Sequence, residues 1–187
     1  MKKQSYGEAV PVRVSSSFSP AMLVQAAMIA AIYVVLTLLA NSLGLANYAI
    51  QVRFSEALTI LPFFTPAAIP GLFVGCILSN LLTGCMPLDV IFGSFATLIG
   101  AFGTYVIGKK SRQAGAPEKR LSVLAPLPPI ISNTLIVPFI LAYVYQFEGS
   151  IPYFMLTVGI GELISCGILG LVLLFSLEKR KGIFSPK

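Results

Sequence analysis

Polar and apolar positions along this chain fall into long blocks rather than a short alternation. The first apolar block, Ala21 to about Ala40, holds only Gln25 and Thr37 as polar members. A helix needs roughly 20 apolar residues to cross the hydrocarbon core of a bilayer, so this block predicts a membrane-spanning helix. It is too long for the core of a cleaved leader, and a polar segment precedes it, so it reads as a retained helix. A second, short helix is expected from about Phe54 to Phe64, broken by Pro62 and Pro66. A third follows from about Ala67 to Leu82 and carries Gly71-x-x-x-Gly75. After the tight turn TGCMP comes a fourth, from about Leu88 to Ile107. A polar stretch, Lys109 to Arg120, separates it from a fifth at about Pro126 to Tyr145. The turn FEGSIP leads to a sixth, about Tyr153 to Leu177. The expected fold is all-α, an integral membrane bundle of six transmembrane helices over residues 20–178. The second helix is too short to cross upright. Polar tails, 1–19 and 179–187, flank the bundle.

Composition supports this class. Of 187 residues, 56% are hydrophobic and 11% charged, against about 25% charged in an average soluble domain. So few charges cannot cover a water-facing surface. The chain has no His, which excludes His-dependent triads, zinc sites of the H-E-x-x-H type and a heme His. Asp89 is the single Asp, so a pair of catalytic aspartates is impossible. Cys76, Cys85 and Cys166 form no C-x-x-C and are expected to pack as small hydrophobes. No metal-ligand constellation stands out, and no cofactor is expected.

The net charge of +6 is a topology signal more than a nucleic-acid patch. Lys2, Lys3 and Arg13 lie in the first tail. Lys109, Lys110, Arg112, Lys119 and Arg120 lie between helices four and five. Lys179, Arg180, Lys181 and Lys187 lie in the last tail. With six spans, all three regions fall on one side, and an excess of Lys and Arg marks the cytoplasm. Both termini are therefore expected inside a cell membrane. Arg53, near the start of helix two, is the one basic residue on the opposite side.

A charge within a bilayer is costly, at least about 2.5–3.5 kcal/mol at a helix centre on insertion scales. Glu162 is expected near the midplane, roughly 14 Å below the outer end of helix six at about 1.5 Å per residue. It is the first candidate for a ligand-binding carboxylate; satisfaction by neighbouring hydroxyls or Asn is the structural alternative. Asn133 lies at similar depth in helix five, where an interhelical hydrogen bond is the plainer explanation. Arg53 and Glu56 share a helix face at i and i+3, either as a mutual ion pair or with free edges toward a ligand. Asn80 and Asp89 flank the turn between helices three and four, where Asp89 is also placed to cap helix four. Arg53, Glu56, Asn80 and Asp89 near the outer ends, with Glu162 and Asn133 deeper, define a cup open to the outside. A channel would want polar lining along its whole length; a cup suits a small polar solute. Three carboxylates against one Arg favour a neutral or cationic ligand rich in N–H donors. Tyr48, Phe92 and Tyr153 could stack on a planar ring or sit at the lipid interface.

Gly103-TYVI-Gly108-Lys109-Lys110 nearly matches a P-loop but lacks the final Ser or Thr and ends a membrane helix. No ATPase of the chain's own is expected. Ala27-x-x-x-Ala31, with Ala26 and Ala30 beside it, forms a small-residue strip where another helix can approach closely, inside this chain or on a partner.

Together these features resemble the substrate-binding S component of an energy-coupling factor (ECF) transporter. The run QVRFSEALTILPFFTPAAIPGLFVGCILSNLLTG, followed by LDVIFGSFATLIGA, resembles the QueT family. The likeness runs from about Pro20 to Leu177. It implies uptake of a queuosine precursor, a 7-deazaguanine base. It further implies docking of Ala27 and Ala31 on an ECF T component that carries two ATPase subunits. In that picture the subunit is not an enzyme: it captures substrate outside and tips in the membrane to deliver it. Glu162 would accept the N–H edge of the base. Glu56 or Asp89 would suit a cationic aminomethyl group, and Asn133 or Asn80 the ring carbonyl. An S component for another vitamin or nucleobase would share the topology and differ in the cup. A membrane enzyme, or a channel or assembly subunit, is the alternative of a different class.

Overall fold

The structure, a computed structural model, describes residues 19–45, 52–113 and 119–179. Six helical members make up the bundle among these residues. The first helix, Pro20–Ser42, has 23 residues, about 34 Å at ~1.5 Å per residue. Ser19 caps it, its hydroxyl accepting from the Met22 N–H at 3.3 Å, and Pro20 opens the first turn, where a missing N–H costs nothing.

The second member, Phe54–Phe63, is a 3-10 helix with Pro62 inside it. The sequence pattern had Pro62 breaking an α-helix. The tighter winding keeps the segment continuous and stretches it, since a 3-10 helix rises ~2.0 Å per residue. Nearly all of it is buried, Ser55, Glu56 and Thr59 included. It forms the centre of the bundle, packed against the first, fourth and sixth helices. The Arg112 guanidinium donates to the Phe63 carbonyl at its far end.

The third helix, Ala68–Leu82, lies against the first. A side chain on Gly71 would come within 2.7 Å of the Ala26 carbonyl oxygen, and one on Gly75 within 2.9 Å of the Tyr33 Cβ. Glycine at these positions lets the two backbones touch. The small-residue strip therefore divides. Ala26 and Ala30 are buried inside the chain, whereas Ala27 and Ala31 are exposed.

The fourth helix, Pro87–Gln113, runs past the expected end at Ile107 and carries Lys110 and Arg112 in its last turn. Hydropathy marks where the bilayer ends, not where the helix does, and cations favour a helix C-terminus. The fifth member is a short helix, Lys119–Leu124, continued by Leu127–Tyr143, and its apolar span is Leu121–Tyr143. Pro129 has no N–H for the Ala125 carbonyl, and the Thr104 hydroxyl donates to that oxygen instead at 2.9 Å. The sixth spans Ile151–Glu178 as α-helix Ile151–Glu162, a π-helical segment Leu163–Leu169, and α-helix Gly170–Glu178. Four members are long and apolar enough to cross a membrane; the second and third are shorter.

The burial pattern is inverted relative to a soluble protein. Leu23, Met28, Val35, Ile99, Phe102 and Leu156 are exposed, while Glu56, Asn80, Asp89, Thr97, Asn133 and Glu162 are buried. Apolar side chains outside and polar ones within suit lipid as the surrounding solvent.

Candidate solute-binding site

The second helix and its first flanking residue place two of the site's charges, Glu56 and Arg53. The helix entry is pinned by the Arg53 N–H, which donates to the Ser165 hydroxyl at 3.1 Å, and by the Thr37 hydroxyl, which donates to that of Ser55 at 2.8 Å. This leaves Arg53 and Glu56 in the wall of one small internal space. The Tyr33 hydroxyl donates to Glu56 Oε1 at 2.5 Å. Glu56 Oε2 is buried and makes no hydrogen bond, with the Asn133 amide near enough to the Glu56 carboxylate to act on it. Arg53 and Glu56 are not joined by a direct hydrogen bond among the described residues, which disfavours the closed ion pair and leaves both with free edges.

Glu162 ends the first α-helical stretch of the sixth member. Its Oε1 accepts from the Asn133 amide at 3.0 Å, and its Oε2 lies 3.0 Å from the Cys166 thiol. The thiol is also 3.4 Å from the Glu56 carbonyl oxygen. The interhelical bond expected of Asn133 thus exists, and its acceptor is the carboxylate itself.

These groups line two adjoining spaces. The inner one, about 20 Å³, is bounded by Arg53, Glu56, Asn133 and Glu162, with Gly93 and Thr97. The outer one, about 310 Å³, is bounded by Arg53, Asn80, Asp89, Asn41, Tyr145 and Phe147 among others. Arg53 and Val137 belong to both walls. Asp89 Oδ1 and the Asn80 amide converge on Gly93, where a side chain would meet them at 3.1 and 3.5 Å. Burial works most strongly against the charge of Arg53, but the surrounding groups, Asp89 first and then Tyr33, Cys76 and Glu56, together outweigh it and hold the guanidinium protonated.

All six residues singled out from the sequence reach one of these spaces. The aromatics do not. Phe92 and Tyr153 lie on the outer apolar surface, and Tyr48 lies outside the described residues. Tyr145 and Phe147 line the chamber instead, their rings stacked at 5.6 Å. Tyr33 also escaped the sequence reading, although its spacing from Thr37, i to i+4, places both on one helix face. Cys85 lines the chamber rather than packing in the core. The donor atoms of Glu56, Glu162 and Cys166 come within 4.8 Å of one another. The thiol and both Glu162 oxygens are engaged internally, and Arg53 shares the wall, an arrangement better suited to N–H donors than to a bare metal ion.

A lipid-facing helical bundle around a polar, charge-lined chamber is the architecture of a small membrane protein with an internal polar cavity. Comparison with known proteins gives the family. Residues 23–179 match the QueT transporter family, and the chain belongs to it. Over 77 residues it is 36% identical to the queuosine precursor transporter QueT of Lactococcus lactis subsp. cremoris (strain MG1363). That alignment covers 41% of this chain and 45% of the relative. No solved structure matches the chain.

Proposed function

We propose that this protein is the substrate-binding S component of an ECF-type transporter and captures a queuosine precursor, a 7-deazaguanine base, from outside the cell. The observation that carries the reading is the unpartnered Glu56 Oε2, buried beside Glu162 and Arg53 in a space that adjoins a larger chamber. A buried acceptor without a donor is costly, and a base whose edge carries a ring N–H and an exocyclic amine supplies donors. A space of about 20 Å³ admits a group the size of one water, so it takes the amine while the ring stays in the chamber. A chamber of about 310 Å³ lies within the usual size range of small-molecule sites. Glu56 and Glu162 then face the donor edge, Asn80 the ring carbonyl, and Asp89 a cationic substituent. Asn133 orients Glu162.

Asp89 opens the fourth helix and Lys110 and Arg112 close it, so the chamber and the basic end lie at opposite ends of the bundle. By the excess of basic residues on the cytoplasmic side, the chamber faces outward and both termini are inside. Exposed Ala27 and Ala31 form the docking strip for the T component, whose two ATPase partners supply the energy.

Calorimetry on purified protein in detergent tests the substrate, with a panel of 7-deazaguanines, guanine, biotin, riboflavin and thiamine. Tight binding of a deazaguanine alone is expected. Binding of a vitamin instead would retain the architecture and discard the queuosine precursor. Folded protein that binds none of them, yet conducts ions in liposomes, would overturn the solute-site reading.

A further inference from the structure

We propose that Tyr145 and Asp89 form a clasp across the outer rim of the chamber, and that the Tyr145 hydroxyl sets how long a solute stays inside. The clasp rests on the chamber being the solute site.

Two segments make up this part of the rim. One is the turn between the third and fourth helices, which contributes Gly84 and Cys85; the other is the connection after Tyr143, which contributes Tyr145 and Phe147. The Tyr145 hydroxyl joins them. It accepts from the Met86 N–H at 3.2 Å and donates to Asp89 Oδ2 at 2.8 Å. Among the described residues, these are the hydrogen bonds that cross the rim. The chain N–H to hydroxyl to carboxylate runs in one direction, so each bond polarises the next. Burial, reinforced by the Asp89 charge, raises the Tyr145 pKa, so the hydroxyl stays protonated and able to donate at neutral pH.

The backbone holds Tyr145 in place without making the rim rigid. The N–H groups of Val144 and Tyr145 share the Ile140 carbonyl at 2.9 and 3.1 Å, and the Phe147 N–H reaches the Leu141 carbonyl at 3.1 Å. Between them Gln146 takes a left-handed φ of 52°, a conformation disfavoured for a non-glycine residue. Beyond Phe147, residues 148–150 are exposed. The connection is thus tied to its own helix at the base and to the opposite turn through one hydroxyl.

The clasp also orients Asp89. Tyr145 occupies Oδ2, while Oδ1 faces Gly93 and the Asn80 amide within the site. Tyr145 is therefore a positioning residue: it presents one carboxylate oxygen to the solute and spends the other on closure. Entry and exit both require the bond to open.

Cys85 gives a readout that needs no solute. It lines the chamber and is partly exposed, whereas Cys76 and Cys166 are each 1% exposed and serve as internal controls. The experiment measures maleimide labelling of Cys85 by peptide mass spectrometry in wild type, Y145F, D89A, which removes the acceptor altogether, and the double variant, each shown folded by size exclusion. Stopped-flow association and dissociation of a 7-deazaguanine follow for wild type and Y145F. The clasp predicts faster Cys85 labelling in both single variants and no further gain in the double, because one shared bond is lost. It predicts release from Y145F faster by about tenfold, the scale of one hydrogen bond to a charged group, with association faster as well. Unchanged labelling in Y145F would overturn the clasp. So would faster release with unchanged association and unchanged labelling, which would make Tyr145 a ligand contact alone. Faster labelling in a protein that binds no base would keep the clasp and refute the substrate.

Discussion

Glu56 offers the sharpest separation between holding the fold and holding the ligand, because its two oxygens have different jobs. Oε1 accepts the Tyr33 hydroxyl at 2.5 Å; Oε2 is buried without a partner. Glu56→Gln keeps the shape and, with the amide oxygen toward Tyr33, keeps that bond. It places an NH2 where the free acceptor stood. A hydrogen bond from a ligand donor to a charged acceptor is worth about 1.5–3 kcal/mol, so affinity should fall roughly ten- to a hundredfold at 1.4 kcal/mol per decade. Stability should change by less than about 1 kcal/mol, the net worth of one neutral hydrogen bond. Tyr33→Phe does the reverse. It leaves Oε1 buried without its donor, at a cost of about 1–3 kcal/mol in stability, and leaves Oε2 available to a ligand. Calorimetric titration and thermal melting of both variants in the same detergent give the two axes. If E56Q, melting like wild type, bound the base with undiminished affinity, the free oxygen would not be a ligand acceptor. The donor edge would then have to be placed elsewhere.

Three further outcomes follow from the packing. Gly75→Leu drives a side chain into Tyr33 and Ala30 and should cost about 1–3 kcal/mol or more as overpacking, read as a lowered melting temperature. Ala27→Trp, on the exposed side of the strip, should leave melting and solute binding in detergent unchanged. It should also abolish ATP-driven uptake in vesicles reconstituted with the T component and its ATPases; unimpaired uptake would remove this strip from the docking surface. Arg112→Ala removes the donor to the Phe63 carbonyl and the guanidinium set 6.0 Å from the Tyr105 ring centroid, and should lower stability by about 1–2 kcal/mol without changing solute affinity.

The membrane class, the six helical members and the candidate polar residues were all legible in the sequence, because each depends on local composition. A run of apolar residues pays for a bilayer wherever it sits, and a carboxylate inside such a run is anomalous regardless of its neighbours. Helix ends were less legible. Gln113 lies beyond the expected limit of the fourth helix because helical backbone continues past the lipid boundary. Pro62 does not break the second helix because 3-10 winding tolerates it there. Tyr145, expected as the last residue of the fifth helix, follows that helix and reaches Asp89 across the rim. What only the tertiary structure decided is which side chains meet. Glu56 and Glu162 lie far apart in the chain and converge because the central 3-10 helix packs against the π-helical part of the sixth member. Likewise Ala26 and Ala27 are chemically alike and adjacent, yet one is buried and the other faces outward. The angle at which each helix presents its face depends on every neighbour it packs against, and no local stretch of sequence contains that information.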